Sequence, residues 1–131
     1  QSHSFFKQQH HIDLRIVGLA NSKRVLIDLE GISLDWKEKF GTRSGIRESD
    51  SFYKISSLYD ATKIAVDATA SKEVSLVYPE LLENDFNIVT ANKIGNTLSQ
   101  DFYDQIRTVL ISKNLQLEYE TNVGAGLPII Q

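Results

Sequence analysis

The sequence predicts an α/β fold, a Rossmann-like, mostly parallel sheet with helices on both faces, and three observations predict it. From Lys63 onward, short apolar, β-branched runs alternate with longer segments of helical period. The length of each run plus segment suits a right-handed strand–helix–strand crossover. Each apolar run stops at small or polar residues, as strands do where they feed the loops of an open sheet.

In chain order, residues 12–19 (IDLRIVGL) read as the first strand, ending at Ala20, Asn21 and Ser22. A short apolar stretch follows from Arg24 to Leu29, and residues 31–35 lead into a short helix over Trp36 to Phe40. Gly, Ser, Arg and Glu dominate from Gly41 to Ser51, which reads as a mobile surface loop. KIAVDA is a strand, followed by a helix from about Ser71 to Asn84 with Val74, Val77, Leu81 and Leu82 on its buried face. FNIVTA is a strand, a helix from about Ser99 to Lys113 buries Phe102, Ile106, Val109 and Leu110, and LQLEYE closes the series. No internal repeat, low-complexity tract or heptad pattern interrupts them.

With 131 residues and 41% hydrophobic content, the chain reads as one compact domain. The 14 basic and 17 acidic residues are evenly mixed, and a formal charge of -3 leaves no basic stripe for a nucleic-acid backbone. Zero cysteines exclude disulfides and thiolate chemistry. The absence of a membrane-length apolar run or signal peptide leads us to expect a soluble, cytoplasmic protein without a membrane partner. The chain opens on Gln1 and has no methionine, so an excised piece of a longer protein is expected.

In an open parallel sheet, ligands bind beyond the carboxyl ends of the strands. Thr69, Ala70 and Ser71 stand where a strand gives way to a helix, and their small side chains would let a flat ligand approach the backbone. Helix capping is the plainer explanation, and spacing alone favours it. Lys93 follows an apolar strand directly, where an ammonium could meet a phosphate, a carboxylate or a carbonyl oxygen; a solvated surface lysine is the alternative. The VGAGLP stretch lacks the third glycine and the position of a phosphate loop. It reads instead as a tight turn with inward carbonyls and Glu120 nearby, suited to a hard cation such as sodium or calcium. An ordinary strand-to-helix turn at Pro128 is about as good a reading. His3, His10 and His11 read as solvated, and no GxSxG nucleophile elbow is present.

VDATAS (66–71), VTANK (89–93) and TNVGAGLPII (121–130), in this order and spacing, resemble the homoserine dehydrogenase family. HIDLRIVGLANSK (11–23) resembles the form of that family fused behind an aspartate kinase domain. The resemblance implies a partial nicotinamide-cofactor-binding domain over residues 1–131. The parent enzyme would interconvert aspartate semialdehyde and homoserine with NADP or NAD, in threonine and methionine biosynthesis. Thr69 and Ala70 would touch the cofactor, and Lys93 would lie near nicotinamide and substrate as the catalytic side chain. Glu120 by its carboxylate, and Val123, Ala125 and Leu127 by their carbonyls, would hold a monovalent cation such as sodium at a hinge between domains. Asn21, Ser22 and Lys23 stand where NAD-preferring folds place an acidic residue on the ribose; with no acid there and Arg24 beside them, NADP is favoured.

Two departures from the family pattern shape further expectations. No glycine-rich strand precedes Ile12, and the family's remaining catalytic groups lie beyond Gln131, so the chain alone is expected to be inactive. Losing a central strand would bare apolar sheet edges, to be covered by residues 2–10, by a rearranged sheet or, the preferred reading, by a second copy in a homo-oligomer. A non-catalytic ligand-sensing or assembly module is the competing function, and another semialdehyde or amino-acid dehydrogenase a weaker one.

Overall fold

The computed structural model describes residues 7–48, 51–52, 55–56, 61–94 and 98–119. The chain falls into two compact units, Gln1–Phe52 and Tyr53–Gln131.

The first unit is built on an antiparallel sheet in the order β1-β2-β3, from β1 (Gly18–Ala20), β2 (Arg24–Ile27) and β3 (Gly45–Ile46), with helix α1 (Trp36–Arg43) between β2 and β3. Two sequence expectations change here. The strand expected over residues 12–19 is reduced to Gly18–Ala20, because its partner β2 is only four residues long. Two further backbone bonds reach Val17 and Ile16 from Asp28 and Ile32, while Ile12, Leu14 and Ile16 stay exposed. The loop expected from Gly41 is instead the end of α1 followed by β3, whose Gly45 pairs with Val25 while the Arg24 guanidinium donates to the Ser44 carbonyl at 2.8 Å.

The second unit carries the parallel sheet that the sequence predicts, in the order β4-β5-β6: β4 (Lys63–Asp67), β5 (Phe86–Thr90) and β6 (Leu117–Tyr119). Its register aligns Ala65 with Ile88 and Ile88 with Leu117, so these side chains share one face. That face packs on the helices and forms the core, with Tyr78, Leu81, Leu82, Ile106 and Val109. On the opposite face Ile64, Val66 and Val89 stay exposed.

The helix expected over residues 71–84 is two: α2 (Lys72–Leu76) and α3 (Tyr78–Glu83), broken at Val77. Pro79, in the first turn of α3, causes the break: it has no N–H to give to the preceding turn, and its ring crowds the backbone before it. Helix α4 (Gln100–Lys113) matches its expected span, with the Ser99 hydroxyl accepting from Phe102 N–H and Asn114 closing the end in the left-handed conformation at φ 53°. Among the described residues no helix is long and apolar enough to cross a membrane.

Candidate functional site

The ends of β4 and β5 place Asp67 beside Thr90 in register, both on the helix-covered face. Beyond them, one buried polar network ties the two following loops together. Asp67, only 6% exposed, accepts the Thr69 N–H on Oδ1 at 2.9 Å. Its Oδ2 accepts the Tyr78 hydroxyl at 2.6 Å and Asn92 Nδ2 at 3.0 Å. The Asp67 carbonyl also receives the Ala91 N–H at 2.9 Å.

Asn92, 2% exposed, faces acceptors on its Nδ2 side: Ser71 O at 2.9 Å, Ser75 Oγ at 3.0 Å and Thr69 Oγ1 at 3.5 Å, besides Asp67. Its Oδ1 accepts from Ile94 N–H at 3.1 Å. The amide orientation is thereby forced, since a nitrogen can donate to the Asp67 carboxylate and the Ser71 carbonyl and an oxygen cannot.

Proton directions follow. Burial alone would push the Asp67 carboxyl up, but hydrogen bonds from Tyr78, Thr69 and Asn92 outweigh it and hold the group below the usual carboxylate range. Asp67 is therefore an ionised acceptor, and the Tyr78 proton points at it. Burial, then that same bond to Asp67, raises the Tyr78 phenol to about 12. With its proton committed, Tyr78 can only accept from Thr90 Oγ1, 2.8 Å away, and Thr90 in turn accepts the Asn92 N–H at 2.9 Å.

On the outer side of this network lie the sequence-predicted residues Thr69, Ala70 and Lys93, all exposed. Asn92, the residue before Lys93, approaches Thr69 Oγ1 at 3.5 Å and so ties the loop that follows β5 to the Thr69–Ala70 loop. Ser71 takes the capping role that spacing favoured: its hydroxyl accepts Val74 N–H at 3.4 Å. Asn21, Ser22 and Lys23 belong to the first unit, where they form the β1–β2 turn. There the Asn21 side chain accepts Lys23 N–H at 2.9 Å and Arg24 N–H at 2.8 Å, so it is engaged in closing the turn, while Ser22 and Lys23 are exposed. Glu120, Val123, Ala125 and Leu127, the cation set expected from sequence, lie outside the described residues.

Sequence reasoning missed Asp67, Ser75, Tyr78, Thr90 and Asn92. A polar residue at the buried end of each of two apolar strands was the available sign.

Residues 3–120 match the family model described as the homoserine dehydrogenase NAD-binding domain. The chain belongs to the homoserine dehydrogenase family. The matched span ends before the TNVGAGLPII motif, so membership in the homoserine dehydrogenase family stands without it. A bifunctional aspartokinase/homoserine dehydrogenase of Haemophilus influenzae is 32% identical over 123 residues, 92% of this chain and 15% of that protein. A chloroplastic bifunctional aspartokinase/homoserine dehydrogenase of Zea mays is 34% identical over 127 residues, 95% of this chain and 14% of that protein. The homoserine dehydrogenase of Schizosaccharomyces pombe is 34% identical over 104 residues, 79% of this chain and 28% of that protein. The chain thus spans a minor part of the curated relatives it matches.

Two solved structures share the fold. A Candida auris protein of unknown function superposes with a TM-score of 0.72 at 24% identity, over 98% of this chain and 38% of that one. Homoserine dehydrogenase from Thermoplasma acidophilum superposes with a TM-score of 0.66 at 19% identity, over 96% of this chain and 40% of that one.

Proposed function

We propose that this chain is the nicotinamide-side floor of an enzyme that interconverts aspartate semialdehyde and homoserine, with NADP preferred, in a polypeptide that also carries an aspartate kinase. The observation that carries the reading is the juxtaposition of the exposed Thr69–Ala70 loop and the exposed Lys93 at the ends of adjacent parallel strands, in a chain of this family. The donor set suits the cofactor: small side chains that let a flat ring approach the backbone, next to a cation.

When bound, the cofactor supplies or takes up hydride. Thr69 and Ala70 would hold its nicotinamide end, and the buried network behind them keeps that loop from shifting. Lys93 would donate to the substrate's carbonyl oxygen as negative charge grows there, a role that needs a positioned donor more than a buried one. A monovalent cation at Glu120, Val123, Ala125 and Leu127 completes the reading.

Preference for NADP rests on Lys23 and the lack of an acidic residue at Asn21 and Ser22. The full-length protein should show a higher kcat/KM with NADPH than with NADH, and a clear preference for NADH would overturn that part. We also expect self-association, because Ile64, Val66 and Val89 leave an apolar row on the open face of the β4-β5-β6 sheet. Sedimentation equilibrium should find a dimer or larger species; a strict monomer at micromolar concentration would count against it.

A further inference from the structure

We infer that Asp67, Tyr78 and Thr90 are positioning residues of the cofactor floor: their hydrogen-bond chain sets where the Thr69–Ala70 backbone and Lys93 stand relative to each other. The inference rests on the cofactor reading above. Its ground is geometric. The chain runs from the Asn92 N–H through the Thr90 hydroxyl and the Tyr78 hydroxyl to Asp67, and from Asp67 Oδ1 to the Thr69 N–H. Every bond joins the β4 end, the β5 end or the start of α3, and the two loops so joined are those that carry the exposed candidates.

Stability alone does not account for the arrangement. A carboxylate in contact with a residue of an apolar core is weak evidence for stability, since well-packed hydrophobic residues serve as well or better at such places. Tyr78 is 2% exposed and packs with Leu81, Leu82 and Ile88, where a phenylalanine would bury the same ring. What the hydroxyl and the carboxylate add is direction. An ionised Asp67 fixes the Tyr78 proton, which fixes the Thr90 proton, which leaves the Thr90 lone pair for the backbone of the residue before Lys93. The same carboxylate fixes the Thr69 amide from the other side. The floor then has one conformation instead of several, and a ligand laid on it meets a preformed surface.

The test uses the full-length protein and reads NADPH affinity alongside melting temperature. Tyr78→Phe keeps the ring and deletes the hydroxyl, and should weaken NADPH binding about tenfold by disordering the floor. Lys113→Ala is the stability control. It removes a tie to Asp85 Oδ1 at 2.9 Å and to the Glu83 carbonyl, at the opposite end of β5. That variant should melt earlier yet bind NADPH within about twofold of the parent, as expected for a distant, independent site. Thr90→Val should resemble Tyr78→Phe, and Thr90→Ser should restore binding by restoring the hydroxyl; this pair decides the matter if Tyr78→Phe does not fold. If the parent binds NADPH but Tyr78→Phe or Thr90→Val loses no more affinity than Lys113→Ala, the positioning role is wrong and the cofactor reading stands. If the parent binds neither NADPH nor NADH, the cofactor reading falls and takes the positioning role with it.

Discussion

Asn92→Asp is expected to destabilise the fold by about 3–5 kcal/mol, the scale of a buried charge left without its partner. The substitution is nearly isosteric, so packing cannot account for such a loss. Asn92 Nδ2 sits within 3.0 Å of Asp67 Oδ2, Ser71 O and Ser75 Oγ, and a carboxylate oxygen in its place would meet the Asp67 carboxylate and the Ser71 carbonyl, neither of which can donate. It would also stand against an ionised Asp67, and two carboxylates that share a site resist joint ionisation. Urea unfolding near neutral pH should therefore show the full loss. The gap to the parent should narrow as the solution is acidified, because a proton shared by the new pair relieves the repulsion. The parent moves the opposite way: its Asp67 is held below the usual carboxylate range, so its contribution is present above the unfolded value and is lost as pH falls through the folded one. An Asn92→Asp protein as stable as the parent at neutral pH would show that the amide does not point as described.

Lys93→Ala is expected to lower kcat/KM of the full-length protein by about 10²–10³-fold, the loss typical of removing one donor to a developing oxyanion. Lys93 is exposed, so its removal should leave the melting temperature nearly unchanged. That combination separates a functional lysine from a structural one, and both from a scaffold that does no chemistry. Unchanged kinetics in a normally folded variant would remove Lys93 from the site.

The parallel sheet and its longest helix were legible because their signals are local. KIAVD and FNIVT are β-branched and apolar, and each continues to its strand end, so β4 and β5 fall inside the expected segments. Ser99 and Asn114 mark the ends of α4 with residues whose chemistry suits those positions. The first unit was less legible. Its strands are two to four residues long, and so short a run carries little periodicity; residues 12–19 gave an apolar pattern without a ladder partner of matching length.

The candidate site divides the same way. Thr69, Ala70 and Lys93 could be singled out as candidates because they follow apolar runs. The residues that hold them could not: Asp67, Tyr78 and Asn92 are separated by 11 and 25 positions from the partners they bond, and only folding brings them together. Asn21 shows the same limit at short range. Its side chain closes a turn two and three residues on, an engagement that its place after an apolar run does not reveal.

The interruption at Val77 bears on how such a site can diverge among related proteins. An unbroken helix would transmit any insertion near Ser71 as a rotation of about 100° per residue along its whole length, a consequence of 3.6 residues per turn. Because α2 ends at Leu76 and Pro79 restarts the ladder in α3, a length change in α2 can be absorbed at the junction while Tyr78 keeps its bond to Asp67. The loop that carries Thr69 and Ala70 can thereby change in length without dislodging the anchor behind it.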